Sequence, residues 1–173
     1  MPYSERAGKQ FTKDIFEFLK PVTVLDIGAG AGTYSKLMRD KSQHWTALEV
    51  WEPYISKYNL TSLYDEVILS DIRLWQPVKS YNFSILGDVL EHMTLEESKL
   101  VVEKIRKLSD YTVISIPFGT NPQGDVEENH YERHIEEYWD EKKVRDTFGT
   151  PILFHIETGD WCTMGVFIYP KIF

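Results

Sequence analysis

Short apolar runs alternate with amphipathic stretches along most of this chain. A first helix is predicted over residues 11–19, because apolar residues recur there at helical spacing and stop before Pro21. Apolar runs that suit buried strands follow at 22–27, 45–50, 66–69, 82–86 and 111–116. Helical patterns separate these runs, and the last of them begins at a capping box formed by Thr94 and Glu97. Strands separated by helices cannot be joined by tight hairpins, so the sheet is predicted to be parallel with helices on both faces.

The pattern changes after Pro117, where a polar stretch runs to about His134. Asp140 is then predicted to cap a short helix. The last two strands, at 152–157 and 161–169, are so close in sequence that they must be antiparallel. The predicted fold class is α/β: a doubly wound, Rossmann-like sheet of seven strands, mostly parallel, with a C-terminal antiparallel hairpin. We expect one domain over residues 1–173, with an N-terminal helical segment at 1–20.

Net charge and cysteine content limit which binding partners and which cellular compartment we expect. The net charge of −8 over 173 residues would repel a phosphate backbone, so we expect no nucleic-acid partner. No run approaches the roughly 20 apolar residues of a membrane helix, and residues 1–20 lack the apolar core of a secretory signal. Cys162 is the single cysteine, which excludes an intrachain disulfide and favours a reducing, cytoplasmic location.

A glycine-rich loop at residues 26–32 ends the first predicted strand and opens a helix. Glycines there let the backbone approach a ligand closely and leave N–H groups exposed, which predicts a nucleotide-like ligand. The loop departs from the dinucleotide fingerprint, because the third glycine is Gly32 and the fingerprint position holds Thr33. No Gly-Lys-Ser/Thr follows, so a Walker phosphate loop is excluded. A glycine-rich turn without a ligand is the alternative.

The order acidic-x-Gly-x-Gly-x-Gly resembles the first motif of the class I S-adenosylmethionine-dependent methyltransferases of small-molecule type. The resemblance extends across nearly the whole chain, including the closing hairpin, and implies S-adenosylmethionine (SAM) as cofactor. It implies that the loop packs against the methionine part of SAM, and that the acidic residue positions the ammonium group. The residues concerned are Asp26, Gly28, Ala29, Gly30 and Gly32.

A second carboxylate, Glu49, ends the second predicted strand, where it could accept both hydroxyls of a ribose. The resemblance implies that Val50 or Trp51 stacks on adenine; Trp51 as an ordinary surface aromatic is the alternative. It also places Asp71 near the adenine amino group and the backbone of Ile72 close to the ring. Asp71 could instead be a plain helix cap.

The fourth strand ends in a run, 87–93, that looks like the Asp-x-x-Glu-His segment of small-molecule members of the family. The resemblance implies that Gly87 and Asp88 border the methionine end of the cofactor and the methyl-acceptor pocket. Amino-directed members that act on adenine or glutamine carry Asn/Asp-Pro-Pro-aromatic here, which this chain lacks. We therefore expect methyl transfer to a hydroxyl or amine of a small molecule.

A base that removes the acceptor proton should lie in a loop at the carboxyl end of the sheet. The candidates, in order of preference, are His134, His92, Asp88 and His130. The polar segment at 117–139 is the candidate substrate lid, and a merely solvated loop is the alternative. Within it, Tyr131, Tyr138 and Trp139 are predicted pocket walls.

Two other functions remain open. Asp88, Glu91 and His92 with a later histidine, His130 or His134, could bind magnesium or manganese. This resembles the metal site of the RNA 3′-terminal 2′-O-methyltransferases, although this chain has Asp88 where that family has Glu. We expect no metal, because the run Leu-Glu-His at 90–92 is commoner in metal-free relatives. The other alternative is a noncatalytic cofactor-binding or scaffold module, which a degraded glycine loop would favour; here the loop is intact.

Overall fold

The computed structural model describes residues 5–173, so the first four residues of the predicted segment 1–20 lie outside the described residues. The strands, in chain order, are β1 Thr23–Ile27, β2 His44–Glu49, β3 Glu66–Leu69, β4 Tyr81–Gly87, β5 Ser109–Thr120, β6 Tyr138–Trp139, β7 Leu153–Thr158 and β8 Thr163–Pro170. The helices are α1 Lys9–Leu19, α2 Thr33–Met38, α3 Glu52–Lys57, α4 Leu60–Leu63, α5 Leu95–Leu108 and α6 Glu141–Phe148. Short 3-10 turns lie at Leu90–His92 and His130–Glu132.

The strands form one sheet in the order β3-β2-β1-β4-β5-β8-β7. The pairs from β3 to β5 are parallel, and β8 is antiparallel to both β5 and β7. This confirms the predicted doubly wound sheet with an antiparallel C-terminal hairpin. The chain reverses its direction of winding between β1 and β4, and in open α/β sheets ligands bind in the crevice at such a point.

The sheet has one strand more than the seven predicted. The two-residue strand β6 pairs antiparallel with Gly119 and Thr120 at the far end of β5, which extends past Pro117. A two-residue strand has no periodicity that a sequence pattern could reveal. Its pairing closes the polar segment 121–137 into a loop at the carboxyl end of the sheet.

Two apolar clusters cover the two faces of the sheet. On one face α5 and α6 pack against the strands, and Trp139 stacks on Phe148 with ring centroids 5.7 Å apart. On the other face α1 and α2 cover Trp45 and Phe83, with Phe16 in contact with both rings. Among residues 5–173, no helix combines the length and apolar character needed to cross a bilayer.

The capping box at α5 is present as predicted and gives a stability test. The backbone N–H of Glu97 donates to Thr94 Oγ1, and the N–H of Thr94 donates to the Glu97 carboxylate at 2.8 Å. We predict that Thr94→Ala lowers the free energy of unfolding by about 1 kcal/mol, a fall in Tm of roughly 2–4 °C. Thermal unfolding measures this, with Thr61→Ala on exposed α4 as control; equal Tm values for the two variants would contradict it.

Candidate functional site

A cavity of about 440 Å³ opens at the carboxyl ends of β1, β2, β3 and β4. Its volume is in the range of small-molecule sites. The glycine loop, the residues after β2 and β3, and the turn after β4 line one side. The 117–139 segment lines the other, and residues from the N-terminal region and the β7–β8 turn complete the wall.

The glycine loop bends sharply where it leaves β1. Gly28 has φ +66°, and a Cβ atom at this position would lie 2.8 Å from Val89 Cγ2. Its N–H donates to the carbonyl of Leu48 at 2.8 Å, which fastens the bend to β2. Only glycine fits this close approach, and Gly28, Ala29 and Gly30 reach the cavity wall.

Glu49 lies against this bend. Its Oε2 accepts from the N–H of Gly30 at 2.9 Å, and its Oε1 accepts from the N–H groups of Val50 and Trp51 at 3.0 and 2.9 Å. Burial raises the pKa of the Glu49 carboxyl, although these three hydrogen bonds oppose the effect. Each carboxylate oxygen has two acceptor positions; the two N–H groups fill those of Oε1, and Oε2 keeps one that can accept a hydroxyl from the cavity.

Some predicted cofactor residues lie behind the cavity wall. The Asp26 carboxylate is buried beneath the loop and accepts from the Tyr64 hydroxyl at 2.6 Å. Gly32 is the N-cap residue of α2, and the Trp51 ring centroid lies 6.4 Å from that of Tyr131; neither Gly32 nor Trp51 lines the cavity.

The residues after β3 form one end of the cavity, together with Val50. Asp71 and Ile72 line this end, as does Arg73. Arg73 Nη2 donates to Asp71 Oδ2 at 2.6 Å, and its Nη1 donates to Glu97 at 3.1 Å. Burial raises the pKa of Asp71, but the hydrogen bonds and charge of Arg73 outweigh burial and hold it below its ordinary value.

The opposite end of the cavity is built on the residues after β4. The Tyr34 ring packs so closely over Gly87 that a Cβ there would lie 2.3 Å from Tyr34 Cε2. Asp88 has φ +57°, rare outside glycine, and its N–H donates to the Ser115 carbonyl at 2.9 Å. Lys9, buried on α1, donates to Tyr34 Oη at 2.9 Å. Sequence reasoning missed Tyr34 and Lys9, because both sit in helices interpreted only by their apolar spacing.

Glu91, His92 and His134 meet at the cavity wall, and each offers one ligand atom within 4.8 Å of the others. The two imidazoles contact edge to face, with centroids 4.9 Å apart. His92 Nδ1 lies 3.3 Å from the carbonyl of Arg133, and His134 Nδ1 bonds the carbonyl of Asn121. Because a carbonyl only accepts, each Nδ1 is the donor and each Nε2 keeps its lone pair.

Glu91 is 2% exposed, and its Oε2 has no hydrogen-bond partner among residues 5–173. Burial and the charge of Asp88 raise its pKa well above the ordinary value. Burial, with the charge of His134, lowers the pKa of His92 to about 4, so this imidazole is neutral at physiological pH. A buried carboxyl and the neutral imidazole of His92 therefore face the same space as the His134 ring.

The remaining predicted chemical residues divide between the cavity and the surface. Asp88 lines the cavity but is not part of the cluster of possible ligand atoms. His130 is exposed and pairs with Asp125, away from the cavity wall. The structure therefore gathers Glu91 and His92 with His134, rather than with His130.

The 117–139 segment covers the cavity. The N–H groups of Ile135 and Glu136 donate to the carbonyl of Glu91 at 2.8 and 3.0 Å. Tyr131 lines the cavity as predicted. The prediction for the other two aromatics was wrong: Trp139 is 1% exposed in the core, and Tyr138 is half-exposed and donates to Asp140, because β6 turns this pair back along β5.

The N-terminal region and the β7–β8 turn form a wall that the sequence did not predict. Glu5 Oε2 accepts from the N–H of Trp161 at 2.9 Å, and Glu5 with Trp161 and Cys162 lines the cavity. These partners are 156 positions apart in the chain. No local pattern could have brought them together.

Solved structures share this fold. The N-terminal domain of EvdMO1, in the presence of SAH and D-fucose, matches with a TM-score of 0.72 at 10% identity, covering 98% of this chain and 85% of that one. Magnesium protoporphyrin IX methyltransferase (ChlM) from Synechocystis, with bound SAM, matches with a TM-score of 0.69 at 14% identity, covering 95% and 79%. The methyltransferase domain of bacterial CtHen1 matches with a TM-score of 0.63 at 17% identity, covering 92% and 96%. No protein-family model matches the sequence, and no curated protein is found similar to it.

The buried Asp26 gives a pH test of the site. Burial raises its pKa to about 7, against the opposing effects of Tyr64 and Lys9, while the unfolded chain releases this proton near its ordinary 3.8. As pH rises from about 4 to 7, the free energy of unfolding therefore falls by up to about 1.4 kcal/mol for each pH unit. We predict that Asp26→Asn, which can still accept from Tyr64, removes this loss.

Urea unfolding at several pH values between about 5 and 7 measures the difference. The native protein should lose free energy of unfolding relative to Asp26→Asn as pH rises. Asp14→Asn, on the exposed surface of α1, is the matched control and should run parallel to the native protein. Parallel profiles for native protein and Asp26→Asn would show that Asp26 ionises normally.

Proposed function

Because the chain has the fold of the class I S-adenosylmethionine-dependent methyltransferases, we propose that it binds SAM and transfers its methyl group to a hydroxyl or amine of a small molecule. The observation that carries this proposal is the contact of the Glu49 carboxylate with the Gly30 N–H at the wall of the cavity. A carboxylate in this position can accept hydrogen bonds from ribose hydroxyls. The glycine loop beside it lets a ligand come close to the backbone. SAM in ChlM and SAH in the EvdMO1 domain support the same ligand here.

The residues fit the parts of such a cofactor. Val50 and Ile72 offer apolar surface for adenine at the end closed by Asp71. Glu49 lies in the middle, at the position for the ribose, and Asp88 lies at the opposite end, where an ammonium group would be held. Asp26 acts from beneath the loop, as a buried charge whose proton equilibrium a cationic ligand would shift.

The bound cofactor would supply an activated methyl group on a sulfonium, so the chain itself needs little covalent machinery. What it must do is align the acceptor, exclude water and take the acceptor's proton. The 117–139 segment and the β7–β8 turn enclose the cavity opposite the glycine loop. His134 and His92, each with Nδ1 bonded to a backbone carbonyl, are the first two candidate bases, and Asp88 is the third.

The cavity wall also carries the acidic side chains of Glu5 and Glu132. This charge disfavours a polyanionic acceptor and supports a small neutral or cationic one. We propose that residues 1–173 form one methyltransferase domain. The single Cys162 supports a cytoplasmic location.

Binding of SAH tests the proposal directly. Calorimetry should show binding to the native protein, and Glu49→Gln should weaken it about 10- to 100-fold, because the ribose hydroxyls lose a charged acceptor. Glu52→Gln, on exposed α3 three residues away, is the matched control and should bind like the native protein.

If the folded native protein binds neither SAM nor SAH at millimolar concentration, the proposed function is wrong. Binding without turnover across a broad panel of hydroxyl and amine acceptors would instead favour the noncatalytic module.

A second candidate function has a specific observation behind it: metal-dependent methyl transfer to the 2′-hydroxyl at an RNA 3′ end. Glu91, His92 and His134 provide one carboxylate and two imidazoles within 4.8 Å, with each Nδ1 tied to a carbonyl and each Nε2 available. This orientation by a second hydrogen bond is typical of metal-ligating histidines. The likeness to the CtHen1 methyltransferase domain adds support at the level of fold.

Manganese binding separates the two functions. The second candidate predicts that Mn²⁺ binds in calorimetry, that His134→Asn weakens this binding at least about 10-fold, and that chelator abolishes turnover until Mn²⁺ is restored. His130→Asn, at the exposed histidine outside the cluster, is the control. Turnover that resists chelator, or equal Mn²⁺ affinity for both variants, would exclude it.

A further inference from the structure

A buried lysine stands next to the methionine end of the proposed cofactor site. Lys9 on α1 is 7% exposed, although lysine is almost never buried without a partner. Its Nζ donates to Tyr34 Oη at 2.9 Å, lies 4.5 Å from the centroid of the same ring, and is 3.9 Å from Asp88 Oδ2. Burial lowers the pKa of Lys9, but Tyr34 and Asp88 more than offset this and leave it raised, so Nζ carries a full charge.

This ammonium group is linked to the cavity through Tyr34 and Asp88, which both line it. An ammonium has three N–H donors; Tyr34 accepts one, and Asp88 at 3.9 Å is beyond direct hydrogen-bond distance. The phenol oxygen that accepts from Lys9 also becomes a stronger donor through its own O–H. The Lys9 ammonium and the Tyr34 hydroxyl together form a pair of donors that attracts an anion.

The distribution of charge around the cavity makes Lys9 the candidate cation for binding an anion. Among the described residues, the only lysine or arginine that lines the cavity is Arg73. Its guanidinium is hydrogen-bonded to Asp71 and Glu97 at the adenine end. The opposite end presents the acid Asp88 with the cation Lys9 beside it. Adjacent opposite charges complement an α-amino acid, which carries an ammonium and a carboxylate on one carbon.

We propose that Lys9 and the Tyr34 hydroxyl form the subsite for the α-carboxylate of the cofactor's amino-acid portion, with Asp88 facing its ammonium. This inference rests on the proposed function, since it assigns one end of the same ligand. It gives α1 a part in ligand selection: compounds that keep the adenosine and sulfonium but lack the carboxylate bind less well. The Gly87 position must stay open, because the Tyr34 ring occupies the space of a side chain there.

The experiment compares SAM with decarboxylated SAM, which keeps the ammonium and lacks only the carboxylate. The native protein should bind SAM about 10- to 100-fold more tightly, the effect of a hydrogen bond to a charged group. Lys9→Met should weaken the binding of SAM by the same factor and leave the affinity for decarboxylated SAM within about twofold of the native value. Discrimination between the two ligands is then lost. Lys9→Arg should restore part of it. Lys13→Met, on α1 and more exposed, is the control and should discriminate like the native protein.

Tyr34→Phe provides a second measurement that does not change the buried charge. It should reduce the discrimination about three- to tenfold, and it carries the test if Lys9→Met fails to fold. Unchanged discrimination in Lys9→Met, or in Tyr34→Phe if Lys9→Met does not fold, would overturn the inference, as would equal weakening of both ligands in Lys9→Met. If the native protein binds both ligands equally, the subsite alone is wrong; if it binds neither, the proposed function fails with it.

Discussion

The site depends on the hydrogen bond between the Glu49 carboxylate and the Gly30 N–H. It joins the bend after β1 to the end of β2, and the N–H of Gly28 adds a second link through the Leu48 carbonyl. A buried carboxylate is tolerated only if its lone pairs are occupied, and backbone N–H groups occupy them here. The interaction therefore fixes the shape of the loop and holds a charged acceptor at the cavity in one step.

The reversal of winding between β1 and β4 then separates two chemically different ends. The Arg73–Asp71 pair closes one end with its charges already matched, which leaves apolar surface from Val50 and Ile72 for a flat ring. The other end carries Asp88 and Lys9, whose charges are 3.9 Å apart and beyond direct hydrogen bonding. An elongated ligand with a neutral ring and a zwitterionic tail would satisfy both ends in only one orientation.

Local patterns in the sequence predicted the doubly wound parallel sheet, the closing hairpin and the glycine loop at the end of β1, because the alternation of strands and helices and the positions of strand ends decide these. They also placed Glu49 and the Asp88–His92 turn on the correct edge, since parallel strands all end there. They could not predict the direction of a side chain, such as the buried Asp26 carboxylate that accepts from the Tyr64 hydroxyl. The contacts of Lys9 with Tyr34, and of Glu5 with Trp161, depend on how distant segments pack.

The carbonyl of Glu91 accepts from both Ile135 and Glu136, so one peptide unit anchors the covering segment to the turn that bears Glu91 and His92. Admission of an acceptor that displaces residues 135 and 136 must break these two bonds. The same displacement would draw His134, the residue before Ile135, away from the turn that bears Glu91 and His92. The meeting of Glu91, His92 and His134 therefore depends on two backbone hydrogen bonds that hold the covering segment to this turn.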